Sequence, residues 1–311
     1  MRSVPIARGK PLFGKRIGKF SSAAGMPSAL WSAAEQRRWP TYELAGFYLR
    51  DDAVPEILAI DPVGDTFRIT TAFHVTAPPP VTWWTDVTST VYAVREGGEW
   101  KLANALVPNT QGWRRDTVGT VTYVYAPDYP YDRARARRAV AFTDSLALAF
   151  GAPSLAPLTY FLLLDVDAVY RVLGLESTLK LGATGGLAQP VNRQLFSGIP
   201  GLGEEYRHEL AHLVLAPLMT PSTWCVASEG VATSLGGTTG SDFPTAARAL
   251  ATTLSERPDL SHDSVLTQAY PTPIVYASGA VLTAVVRDWR ERTLRYSAPT
   301  TEGRARTANL R

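Results

Sequence analysis

With 311 residues, 45% apolar and 19% charged, the chain has the composition of a soluble globular protein and room for one large or two medium domains. No run approaches the roughly 20 apolar residues of a membrane-spanning helix, so no transmembrane segment is expected. The lone cysteine, Cys225, excludes both an intrachain disulfide and a cysteine-rich metal site, and the net charge of +3 is unevenly spread.

Residues 1–40 hold eight Lys/Arg against Glu35 alone, a net of +7, while the remainder holds 23 basic and 27 acidic residues, a net of −4. Residues 1–28 therefore read as a basic leader. Gly, Ser and Pro interleaved with the charges point to disorder. Contact with nucleic acid or an anionic membrane is the alternative use of such a tail; no nucleic-acid partner is otherwise expected. The leader lacks the 7–15-residue apolar stretch of a signal peptide. A cytoplasmic chain and an exported chain whose leader is missing both remain open.

Residues 29–113 read as a small α+β domain, with a helix over about 29–38 and then strand-like runs. The runs EILAI, DTFRITTAFHV, STVYAVRE and WKLANALV are rich in β-branched and aromatic residues and are separated by turn signals. Gly97-Gly98 suits a two-residue hairpin turn. His74 falls in an alternating strand and carries no functional signal of its own.

Residues 114–311 alternate in type: strand VGTVTYVYAP, a long helix over 128–150 with apolar positions 139, 142, 146, 149 and 150 and a stop at Gly151, and strand LTYFLLLD. A short helix DAVYRVLGL and a Gly-rich run LGATGGLAQ follow. Then come GEEYRHELAHLVLAPL, a helix in STWCVASEGVATSLGG, and helices over about 244–256 and 276–292. The fold class expected is α+β, a small curved antiparallel sheet followed by a mixed α/β domain with a helical half.

The chemistry concentrates at HELAH, residues 208–212. From four His and 13 Glu in the chain, such a pattern arises by chance roughly 0.002 times. At about 100° per residue, His208 and His212 lie about 40° apart on one helix face, where two imidazoles can share one metal ion. Glu209, one step round, reaches a water beside the metal without being a ligand. Tyr206, Leu210, Leu213 and Val214 lie on the opposite, packing side. A catalytic zinc takes three protein ligands and keeps a position open. Glu229, 17 residues after His212 and beyond a turn marked by Pro217 and Pro221, is suited to close the set. Its helix carries apolar positions Trp224, Ala227, Val231 and Leu235. Thr233, one turn further on, is a candidate to support a ligand.

HELAH followed by SEGVAT resembles the gluzincin metallopeptidases of the peptidase MA-like superfamily, and the order of elements over about residues 115–292 extends the likeness. The resemblance implies a zincin-like domain holding one zinc ion per chain through His208, His212 and Glu229. It makes Glu209 the general base and a peptide or protein the substrate. It further implies that Ala183–Gln189 is an edge segment to which substrate backbone is added as a strand, with Gly185-Gly186 allowing close approach. Tyr276 becomes the favoured oxyanion-stabilising group, with Tyr270 and His262 as alternatives; Asn192, Arg193 and Ser197 are further cleft candidates. The chain departs from the clan's aminopeptidases, whose Gly-x-Met-Glu-Asn segment is GGLAQ here, without a carboxylate for a free amine. It departs also at Ala227-Ser228, where a more hydrophobic pair is usual. VYAVREGGEWKLAN is similar to the last hairpin of NTF2-like or cystatin-like domains. From these features we expect a zinc metallopeptidase acting on internal bonds. The alternative is a non-catalytic zinc-containing protein that binds partners through its amino-terminal sheet.

Overall fold

A computed structural model describes residues 31–37, 53–75, 86–177, 185–190, 192–219, 225–238, 241–257 and 272–297. The expected leader lies outside them. The chain parts into two compact units, Met1–Ala141 with Leu155–Glu205, and Phe142–Ser154 with Tyr206–Arg311. The fold is α+β.

In the first unit, helix α1 (Ala33–Arg37) precedes an antiparallel meander of β1 (Ala53–Val63), β2 (Thr66–Val75), β3 (Asp86–Glu96) and β4 (Glu99–Asn104). Gly97-Gly98 forms the expected turn, with Glu96 paired to Glu99. His74 is a strand residue on β2, in register with Val54 and Asp86. The run expected to continue β4 to residue 107 instead turns into a short helix, α2 (Leu106–Asn109), where the Asn104 side chain accepts the Leu106 N–H.

A second, mixed sheet follows. VGTVTYVYAP divides between two strands, β5 (Arg114–Val118) and β6 (Val121–Tyr125), joined by a turn at Gly119-Thr120. Helix α3 (Arg133–Phe150) leads to β7 (Leu158–Leu162), which lies parallel to β6, as a crossover connection permits. Then come α4 (Val166–Val172), β8 (Leu175–Ser177), β9 (Gly186–Gln189) and β10 (Gln194–Ser197). The order β5-β6-β7-β10-β9 leaves β9 at one edge, antiparallel to β10. Leu106, Val124, Phe161, Leu163, Val169, Val172, Leu173 and Phe196 form one buried core, with the Phe161 and Phe196 rings stacked at 4.7 Å.

The domain border expected near residue 113 is not where the compact units part, and β8 belongs to the first sheet, paired to β3 through Val87–Ser89. The Thr90 N–H, donating to the Gly174 carbonyl at 2.6 Å, ties the end of α4 to that sheet. The buried stripe of α3 is Ala136, Ala139, Thr143, Leu146 and Ala147, whereas Leu148 and Phe150 are exposed. Of the expected positions, 139 and 146 lie on that line, which is completed by Ala136, Thr143 and Ala147.

Residues 200–205, just before the HELAH helix, are clamped within the first unit. Arg135 donates to the carbonyls of Pro200, Gly201 and Leu202 at 2.6–3.2 Å. Its guanidinium also lies 3.6 Å from the buried Glu204 carboxylate, which accepts the Asp132 N–H at 2.8 Å. Those partners offset the desolvation of a charge removed from water.

The second unit is helical: α5 (Arg207–Leu215), α6 (Cys225–Gly236), α7 (Phe243–Glu256) and α8 (Thr272–Ser297). Asp242 caps α7 by accepting the Thr245 N–H at 2.9 Å, with proline in the first turn. No described helix is long and apolar enough to cross a membrane.

Candidate metal centre

Helix α5 is buried almost all round, the two-sided pattern of the sequence notwithstanding. Leu210, Leu213 and Val214 are buried as expected, and so are His208 and Glu209, at 4% and 8% exposure. A polar group held this deep needs a partner.

Helix α6 supplies one for His208. It packs on α5 and brings the Glu229 carboxylate between the two imidazoles. Glu229 Oε2 lies 3.1 Å from His208 Nε2 and 3.3 Å from His212 Nε2, and the two Nε2 atoms are 3.2 Å apart. This His208, His212, Glu229 group could hold a metal ion. The side chains of His212 and Glu229 keep 17% and 19% exposure, so the group is not sealed from solvent.

The outward nitrogens are held as well. His208 Nδ1 lies 2.8 Å from the Gly237 carbonyl oxygen, and His212 Nδ1 lies 3.5 Å from Ser228 Oγ. Gly237 is the first residue past α6, with φ +75°, and its N–H donates back to the Thr233 carbonyl. A left-handed glycine at this place is a common helix stop. Here it also turns a carbonyl onto the ring of His208.

The charges follow from this packing. Burial pushes the Glu229 carboxyl up, but hydrogen bonds from His208 and His212 and their charges outweigh it and hold the group at about 2. Burial likewise favours neutral His208. The hydrogen bond to Glu229 and the fields of Glu209 and Glu229 prevail, and its pKa rises above 6.5.

Tyr276, on α8, stacks on His208 with ring centroids 5.7 Å apart and planes 15° from parallel. The crossing of α6 and α8 is made by glycines: a Cβ on Gly230 would lie 2.3 Å from the carbonyl carbon of Gly279. The buried line of α6 accordingly runs through Val226, Gly230 and Thr233, correcting the expected Ala227, Val231 and Leu235, which are only half-buried. Trp224 lies outside the described residues.

Thr233 makes no supporting contact through its side chain. Its Oγ1 is fully buried and has no hydrogen-bond partner among the described residues. Tyr270 and His262 lie outside the described residues. Asn192, Arg193 and Ser197 belong to the first unit, around the β9–β10 turn: the Asn192 amide donates to Gln189, Arg193 takes a positive φ, and Ser197 is buried on β10. Cys225 opens α6.

Sequence reasoning missed Gly237 and Gly279 and treated Ser228 only as a departure. The SLGG ending of the ligand helix carried a signal for Gly237, since glycine favours the position after a helix. Compared with family models, curated proteins and solved structures, the chain matches none.

Proposed function

We propose that the chain is a zinc-dependent peptide-bond hydrolase of the gluzincin type, cutting internal bonds of extended peptides. The observation that carries the proposal is the triangle of His208 Nε2, His212 Nε2 and Glu229 Oε2, with sides of 3.1–3.3 Å. Nitrogen and oxygen ligands about 2.0–2.2 Å from a tetrahedral zinc lie about 3.3–3.5 Å from one another. Two imidazoles and one carboxylate, with His212 and Glu229 partly exposed, fit a catalytic zinc better than a closed structural one. The mixed sheet before α5 and the EG helix after it support a zincin-like reading. A helix ahead of a four-stranded antiparallel meander is compatible with an NTF2-like or cystatin-like amino-terminal part.

When bound, zinc would acidify a water molecule and polarise the scissile carbonyl. The remaining work falls to the chain. Glu209, adjacent to a ligand and buried, accepts the proton of the attacking water and returns it to the leaving amine. The Tyr276 hydroxyl donates to the oxygen on which negative charge develops. Gly237 and Ser228 hold the two imidazoles in orientation. Strand β9, paired only with β10 among the described residues, offers an edge to which an extended peptide can be added.

The absence of a carboxylate in GGLAQ directs the proposal to internal bonds. Matched peptides with a free and an acetylated amino terminus test it. Equal cleavage of both is expected; activity confined to the free amine would replace the endopeptidase reading with an aminopeptidase one.

A further inference from the structure

We infer that Gly279 is a positioning residue for Tyr276, setting how closely the phenol ring approaches His208. The inference rests on the role proposed for Tyr276 in hydrolysis. The placement itself rests on packing alone.

Tyr276 and Gly279 are three residues apart on α8 and share a face, with Ala277 and Ala280 buried beside them at 4% and 0% exposure. That face meets α6 at its backbone. A Cβ on Gly279 would lie 2.3 Å from the carbonyl oxygen of Val226, 3.0 Å from Gly230 Cα and 3.2 Å from Val226 Cγ1. The first two neighbours are backbone and cannot swing aside, so a methyl group at 279 forces the helices apart. Restoring an ordinary carbon–oxygen contact needs about 1 Å of displacement.

Glu229 sits beside Gly230 on α6, and α8 carries no member of the metal-holding group. Separation at this crossing therefore moves Tyr276 relative to His208 and leaves the ligand triangle between α5 and α6 in place. The stack at 5.7 Å is the quantity that changes. A shift of about 1 Å in a group that must meet a developing charge can cost up to about a hundredfold in rate.

The test uses the full-length, zinc-loaded chain and four forms: wild type, Gly279→Ala, Tyr276→Phe and the double variant. Tyr276→Leu serves as the spectroscopic reference. The chain has only four histidines, so the His208 ring protons can be followed by NMR, where an adjacent aromatic ring shifts them. In Gly279→Ala the His208 signals should move toward those of Tyr276→Leu, with zinc content unchanged. Its kcat/KM should fall about tenfold or more, and in the Tyr276→Phe background the same substitution should change the rate less than twofold.

Wild-type His208 shifts in Gly279→Ala would overturn the inference. So would loss of zinc or of a cooperative melt, because the crossing would then support the fold as a whole. Full activity in Tyr276→Phe would remove the role proposed for that hydroxyl, and no hydrolysis by the wild type would remove the proposed function. In either case the NMR shifts still decide the placement.

Discussion

The Nδ1–H of His208 donates to the carbonyl oxygen of Gly237 across 2.8 Å. A carbonyl only accepts, so Nδ1 carries a proton and the neutral ring presents its lone pair at Nε2, toward Glu229 and His212. Metal binding needs that tautomer. A backbone carbonyl fixed by the left-handed turn after α6 thus selects the ligand form of a side chain on α5.

From this arrangement we expect about one zinc per chain and a strong dependence of folding stability on it. With free zinc about 100 times above Kd, linkage contributes about 2.7 kcal/mol, or roughly 5–10 °C in Tm for a domain of this size. Chelation should remove that increment from the wild type. His208→Ala and Glu229→Gln should melt alike with and without added zinc. Zinc-dependent stabilisation persisting in both variants would place the ion elsewhere.

The two hydroxyl side chains on either side of Glu229 on α6, Ser228 and Thr233, should behave differently. Ser228 Oγ lies within reach of His212 Nδ1, and Ser228→Ala should weaken zinc binding about tenfold. Thr233 Oγ1 is buried with no hydrogen-bond partner among the described residues, so Thr233→Val should be neutral or slightly stabilising and leave zinc affinity unchanged. Competition with a chelating dye measures both. Loss of zinc in Thr233→Val, with Ser228→Ala unaffected, would reverse the assignment.

Stability of the metal-free chain should depend on pH through the same cluster. His208 has its pKa raised above 6.5 in the folded state. It contributes stability that is complete below 6.5 and lost as pH rises through the raised value. Glu229 is depressed from 4.5 to about 2, so its contribution is complete above 4.5 and lost as pH falls toward 2. Urea unfolding in the presence of a chelator should therefore show both contributions intact between about pH 4.5 and 6.5. Zinc requires deprotonated imidazoles, so the stabilisation it adds should grow above that window. A zinc increment that shrank as pH rose from 6 to 8 would contradict the assignment of the imidazoles as ligands.

The legible parts of the sequence were those written in side chains at regular spacing. HELAH placed two imidazoles on one helix face, and the segment SEGVAT pointed to Glu229; the structure brings all three together. The meander β1–β4 was legible from alternation and from the turn at Gly97-Gly98. Strands β8 and β10, of three and four residues, are too short for any period to register. The packed line of α6 was misread for another reason. Hydrophobic patterning gives no weight to glycine, yet Gly230 is where α8 crosses. Gly237 acts through a carbonyl that every residue possesses, so only the conformation glycine permits could have marked it.

If Glu209 takes the water's proton, a carboxylate-to-amide change should stop turnover and leave the metal in place. Glu209→Gln keeps the size of the side chain and removes its capacity to accept the water's proton. Wild type and variant should be compared at matched zinc content, measured by elemental analysis, on an internally quenched peptide with a blocked amino terminus. We predict equal zinc in the two proteins and a fall in kcat of about 10²–10⁴-fold in the variant. Wild-type turnover by Glu209→Gln at equal zinc occupancy would remove Glu209 from proton transfer.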